Sequence, residues 1–222
     1  MRLRRRSQAE DPAVEDGTAE APGTEAGDTS STVDAHRSDG PWDASEHDVD
    51  ESDETRVDLG CLSVKGRPGL EIRLQVDEAS QQVGAVMLVA EDGAMELRAF
   101  AAARHEDLWP TIRPQISSEA ARRGGTATEV QGPFGPALEL MVPTAGPDGK
   151  SVAQQSTVMG IAGPRWLLRV TTFGRPAVEF KPDGLLEQAL CDVVVDRGSE
   201  AMPPGEALPL RLPTGAQQTD GS

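Results

Sequence analysis

Apolar and polar residues alternate without a break over "LEIRLQVD": Leu70, Ile72, Leu74 and Val76 fall on one face, Glu71, Arg73, Gln75 and Asp77 on the other. A period of two predicts a strand half buried against a core. "VGAVMLV", Val83 to Val89, is apolar throughout and predicts a central strand covered on both sides. The turn "EDGA" follows, where Asp92-Gly93 is a strong hairpin signal, and the returning strand runs from Met95 to Ala102.

The period then changes. Leu108, Ile112, Ile116 and Ala120 recur every four residues, which predicts a helix with Asp107 as its cap. Pro110 suits a first turn, whereas Pro114 removes a backbone donor and should kink or restart the helix. Arg122 and Arg123 favour the helix's negative end, and Gly124-Gly125 stop it. Strand patterns resume with "TATEVQ", a "GPFGP" turn, "ALELMVP", a "GPDGK" turn, "VAQQSTVMGI" and "RWLLRVTTF". A last helix starts near Pro182, its stripe made by Leu185, Leu186, Ala189, Leu190 and Val193. "VVVDRG" reads either as the helix's end or as a short strand. "MPPGEALPLRLP" carries too much proline for regular structure and is expected to lie extended over the domain, anchored by Leu208, Leu210 and Leu212.

Short turns between neighbouring strands require antiparallel pairing. The expected architecture is an α+β fold, a twisted antiparallel sheet with two helices packed on one face. No strand–helix–strand repeat supports a doubly wound nucleotide fold, and no solenoid repeat is present.

Composition divides the chain. Of 222 residues, Asp and Glu supply 37 and Lys and Arg 21, a net charge of −16. Residues 1–56 hold 16 acidic and 6 basic side chains, and beyond Met1 their large apolar residues are only Leu3, Val14, Val33, Trp42 and Val49. Such a segment cannot bury enough surface to offset about 1–2 kcal/mol of backbone entropy per residue. The expected organisation is therefore a disordered acidic tail over 1–56, one domain over 57–213, and a disordered end over 214–222. The acidic balance argues against nucleic acid, whose phosphates need clustered Lys and Arg. The basic "MRLRRRS" lacks the following apolar stretch of a signal peptide, and no run approaches the roughly 20 apolar residues of a membrane span. Cys61 and Cys191 read as reduced thiols, and a cytoplasmic setting follows.

Little in this chain suits bond-making chemistry. His36 and His47 lie in the acidic tail, and His105 lies beside Glu106 and Asp107 at a helix start, with no G-x-S-x-G elbow to partner it. There is no C-x-x-C, and two distant thiols do not predict a metal site. Glu91 with Asp92, Glu106 with Asp107, and Asp192 with Asp196 fall on turns or helix edges, where solvated or capping roles are ordinary. The sequence predicts no catalytic residue, cofactor or metal.

The stretch "GIAGPRWLLRVTTFGRP" carries the strongest signal, because the chain has only 3 Trp, 4 Phe and no Tyr. One reading packs Trp166 under a helix while Gly163-Pro164 makes the turn. The other places Arg165, Arg169 and Arg175 on an exposed strand face, available to an acidic protein partner or to the chain's own tail ending "DVDESDETR". The residues expected at an interface are Trp42, Arg165, Trp166 and Arg169, since Trp and Arg dominate interface energetics.

"GPWD" at Gly40 to Asp43, "VDLGCL", "RAFAAAR", "GPRWLLR" and "DVVVDRG…MPPGEALPLRLP" together resemble an uncharacterised family of actinobacterial proteins. The resemblance spans about residues 40–213. It implies a domain of unknown function, and a short anchored segment around Trp42. The order of elements is also similar to photosystem accessory and Ran-binding Mog-type (PsbP/Mog-like) domains, which implies an accessory or binding role. Sequence and resemblance lead to a non-enzymatic interaction module with an unidentified protein partner. The alternative is a small-molecule or lipid-binding domain, or an enzyme, using a pocket between sheet and helices.

Overall fold

The computed structural model describes residues 37, 39–47, 53–76, 82–104, 106–146 and 150–213. His36, His105 and most of the acidic tail lie outside the described residues, and so does any docking of that tail on the arginines.

The fold is α+β, with two sheets. The larger contains seven strands: β4 (Glu71–Val76), β5 (Val83–Ala90), β6 (Gly93–Ala101), β7 (Thr126–Gly132), β8 (Gly135–Ala145), β9 (Ser151–Ala162) and β10 (Trp166–Gly174). Their spatial order is β4-β5-β6-β10-β9-β8-β7, antiparallel throughout. β10 is therefore the central strand, and β5 lies one place from the edge. The uninterrupted apolar run of β5 did not mark the centre: Val86 and Leu88 enter the main core, whereas Met87 and Val89 on the other face are only half-buried. Strand pairing, which periodicity does not encode, decides position in the sheet.

A smaller sheet of order β1-β11-β3-β2 joins β1 (Trp42–Asp43), β2 (Arg56–Asp58), β3 (Leu62–Lys65) and β11 (Val194–Val195), with β1 and β11 parallel. "VVVDRG" thus supplies a strand. The fold also begins earlier than the composition shift implies. Backbone bonds from Trp42 N to Val193 O (2.9 Å) and from Ala44 N to Val195 O (3.0 Å) hold residues 42–44 against the domain.

Helix α1 (Trp109–Arg122) runs unbroken through Pro114. The donor that proline lacks would have served a carbonyl in the first turn, next to solvent, so little is lost. The one-turn helix α2 (Arg175–Val178) follows β10, and α3 (Leu185–Cys191) precedes β11. The helices occupy opposite faces of the large sheet rather than one face. On the inner face, Leu186 and Leu190 of α3 join Leu62, Val64, Met95, Leu97, Leu168 and Val170 in the main core. On the outer face, Leu108 and Trp109 pack with Leu138, Val158 and Leu167 in a second, smaller core. The small sheet already covers much of the inner face, which leaves the outer face for α1.

The C-terminal segment crosses the domain extended. Leu208 N bonds Ala99 O (2.9 Å), Ala101 N bonds Glu206 O (2.8 Å), and Arg211 N bonds Leu59 O (2.7 Å), so it continues pairing along β6 where β5 has ended. Leu208 is buried and Leu210 packs on the core, whereas Leu212 is 54% exposed and anchors nothing.

Candidate functional site

In β10 the alternation that the sequence carries is split between the two cores. Trp166, Leu168 and Val170 face inward, and Leu167, Arg169 and Thr171 face outward. Trp166 is fully buried. Its indole N–H donates to Asp43 Oδ2 at 2.7 Å, and the Arg37 guanidinium lies 5.4 Å from its ring centre. Arg37 is itself buried and donates to Pro41 O (3.1 Å) and to both Glu46 carboxylate oxygens (2.6 and 2.9 Å). Those bonds to Arg37 outweigh burial and hold the Glu46 carboxyl below its usual range. Residues 40–47 thus form a strap across Trp166. Gly163 makes room for the ring: a Cβ there would lie 2.1 Å from the indole. Trp166 has no surface left for a partner, which corrects its place among the interface residues. Trp42 is half-buried in the strap and stacks on His47, with ring centres 5.6 Å apart.

The arginines also differ from an exposed row. Arg165 is half-buried in the β9–β10 turn. Arg175 donates to Asp92 Oδ2 (2.5 Å) and to Glu187 Oε1 and Oε2 (2.5 and 2.9 Å), and Glu187 is fully buried. Burial alone would raise the Glu187 carboxyl, but the bonds from Arg175 and from Lys181 N–H hold it below its usual range. The acidic pairs serve structure as well. Asp107 accepts from Trp109 N (2.8 Å), Asp192 pairs with Arg67, and Asp196 accepts from Gly198 N (2.8 Å). Burial pushes the Cys61 thiol up to about 12 and raises that of Cys191; both thiols are free.

Arg169 has a different setting. α1 stands off the outer face at its C-terminal half and leaves an open groove of about 550 Å³. Trp109 holds the other half of the helix close. It sits where a side chain on Gly160 would be, 2.3 Å from a Cβ built there, and donates to Pro136 O (2.5 Å). Ile112 and Ile116 form one wall of the groove, and Leu140, Val142, Val158 and Phe173 line the sheet side. Arg169 is the charged group on that sheet side. Its side chain is 24% exposed and lies 3.7 Å from Glu96 Oε1, which Arg98 approaches more closely at 3.0 Å. Burial and the like charge of Arg98 together lower the pKa of the Arg169 guanidinium. Arg169 and Arg98 are direct cross-strand partners, so two guanidiniums share one carboxylate. Glu96 and Arg98 were not singled out from sequence. Their signal was two charges two residues apart on the polar side of β6, but the partner strand was not legible.

Residues 40–219 match the family described as "Protein of unknown function (DUF3710)". The chain belongs to that family. The match opens at Gly40, the first residue of the strap that reaches Trp166 through Asp43, so the DUF3710 unit includes the strap along with the two sheets. No curated protein and no solved structure matches the chain. No described helix is long and apolar enough to cross a membrane.

Proposed function

We propose that the chain is a non-enzymatic interaction module that holds a protein partner at the hairpin end of its large sheet. The edge of β9 that no described strand pairs carries this reading. Ser151 to Gln155 pair with β8 on one side, but β10 reaches β9 only from Ser156 onward. This five-residue edge bears no charge, Val152 is 51% exposed, and Val178 on the same notch is 71% exposed. Unpaired N–H and C=O groups flanked by apolar side chains are a template for an added strand, and proteins usually blunt such edges with charge or proline. A partner supplying an extended segment would gain backbone bonds from β9 and side-chain contact from Val152 and Val178. The structural use of Asp92, Asp107, Asp192 and Glu187 supports a role without bond-making chemistry. A cytoplasmic setting belongs to the same reading, supported by the free thiols of Cys61 and Cys191.

Affinity capture from the native host tests this with three forms of the full chain: unchanged, Val152→Lys with Val178→Lys, and Trp42→Ala with Arg165→Glu. The expected result is a saturable partner lost only by the hairpin variant. Retention of every partner by that variant overturns the reading, and loss only by the third form moves the contact to Trp42 and Arg165.

A further inference from the structure

We propose that the groove between α1 and the outer face of the large sheet is a binding site for an amphipathic monoanion, a carboxylate on an aliphatic chain. This site borders the β9 edge at Thr144 and Gln154, but its contacts lie on the outer face of the sheet and it does not depend on the partner proposed above.

The charge balance selects the head group. Arg98 and Arg169 face one carboxylate, Glu96, and Arg98 holds the shorter contact. Arg169 therefore has only a shared carboxylate and the face of the Phe100 ring, 5.4 Å from its guanidinium, to offset its charge in a largely desolvated position. A bound anion completes that partial compensation. At the Arg169 end, two guanidiniums against Glu96 leave an excess of a single charge, which suits a carboxylate better than a dianionic phosphate. A guanidinium also meets a carboxylate through two parallel N–H···O bonds, the strongest geometry available to either group. Thr171, two residues on from Arg169 on the same face of β10, offers a hydroxyl donor beside the guanidinium.

The lining selects the tail. Ile112, Ile116, Leu140, Val142 and Val158 are aliphatic, and Phe173 is the single aromatic ring among the lining residues. A volume of about 550 Å³ lies in the range of small-molecule sites rather than surface dimples. The opposite rim is polar and exposed: Arg123 pairs with Glu119 at 3.0 Å and both face water. An aliphatic chain thus has a dry side along the sheet, with its charged end at Arg169.

Calorimetric titration of the full chain with decanoate, decanol and acetate tests the proposal. Decanoate should bind saturably, and decanol and acetate at least about tenfold more weakly, since each lacks one of the two contacts. Arg169→Gln should weaken decanoate by roughly ten- to a hundredfold, the range for losing a charged hydrogen-bonding partner, and Arg169→Lys should recover part of it. Equal binding of decanoate and decanol, no saturable binding of decanoate, or an unchanged affinity in Arg169→Gln would overturn the proposal. If Arg169→Gln fails to fold, methyl NMR of the unsubstituted chain decides. Decanoate should shift Ile112, Ile116 and Leu140, and shifts confined to other methyls refute the site.

Discussion

Trp166 and Arg169 stand three residues apart on one strand and have opposite fates, because strand parity sends one inward and the other outward. Trp166 spends its only polar atom on Asp43, so the indole N–H is a latch for the strap as well as a core contact. Trp166→Phe keeps most of the buried ring and removes that donor. It should cost about 2 kcal/mol, one hydrogen bond together with the cavity left by the smaller ring. Limited proteolysis should then cut within residues 40–47 faster than in the unchanged chain; an identical cleavage pattern would show that Asp43 does not retain the strap. Alternation made the parity of these side chains readable from sequence. Which parity faced the main core was not readable, since Leu167 and Leu168 are both apolar and both fully buried.

At the level of elements, the C-terminal segment takes the position beside β6 that β5 vacates, and it closes over Cys61. That thiol is 5% exposed, and its Sγ lies 3.6 Å from Leu208 O. Leu208→Ala removes the buried anchor and should destabilise the domain by about 2–4 kcal/mol, the ordinary range for a core leucine. Labelling of Cys61 by a thiol reagent should accelerate in that variant, whereas an unchanged rate would mean that the segment does not shield it. Extended conformation followed from the prolines. The choice of partner strand did not, because a segment without periodicity carries no register of its own. α1 makes the same point: its apolar stripe forecast a packed helix, but only the occupation of the inner face by the small sheet sent it to the outer one.

For the molecule as a whole, arginine-paired carboxylates and a buried thiol set the pH range of stability. Glu187 and Glu46 both have folded-state pKa values below the ordinary one. They favour the fold while ionised in both states, and that contribution is lost as pH falls through their lowered values. Cys61 acts in the other direction. Its thiol is neutral in the fold up to about 12 but ionises from 9.0 upward in the unfolded chain, so stability declines as pH rises across that interval. Thermal melts should show a plateau between about pH 5 and 8 with falling limbs on both sides. Glu187→Gln should flatten the acid limb while lowering the plateau, because Arg175 loses its buried partner. An acid limb unaltered by that substitution would assign it to other carboxylates. From the sequence alone came the strands, the main helices, the α+β class and the scarcity of residues for chemistry, since periodicity, turn residues and composition are local quantities. Tertiary structure alone decided that Trp166 is enclosed, that Arg175 is neutralised, and that Arg169 shares its counter-charge beside an open groove. Burial and pairing depend on which distant segments meet, and chain-local pattern does not specify that meeting.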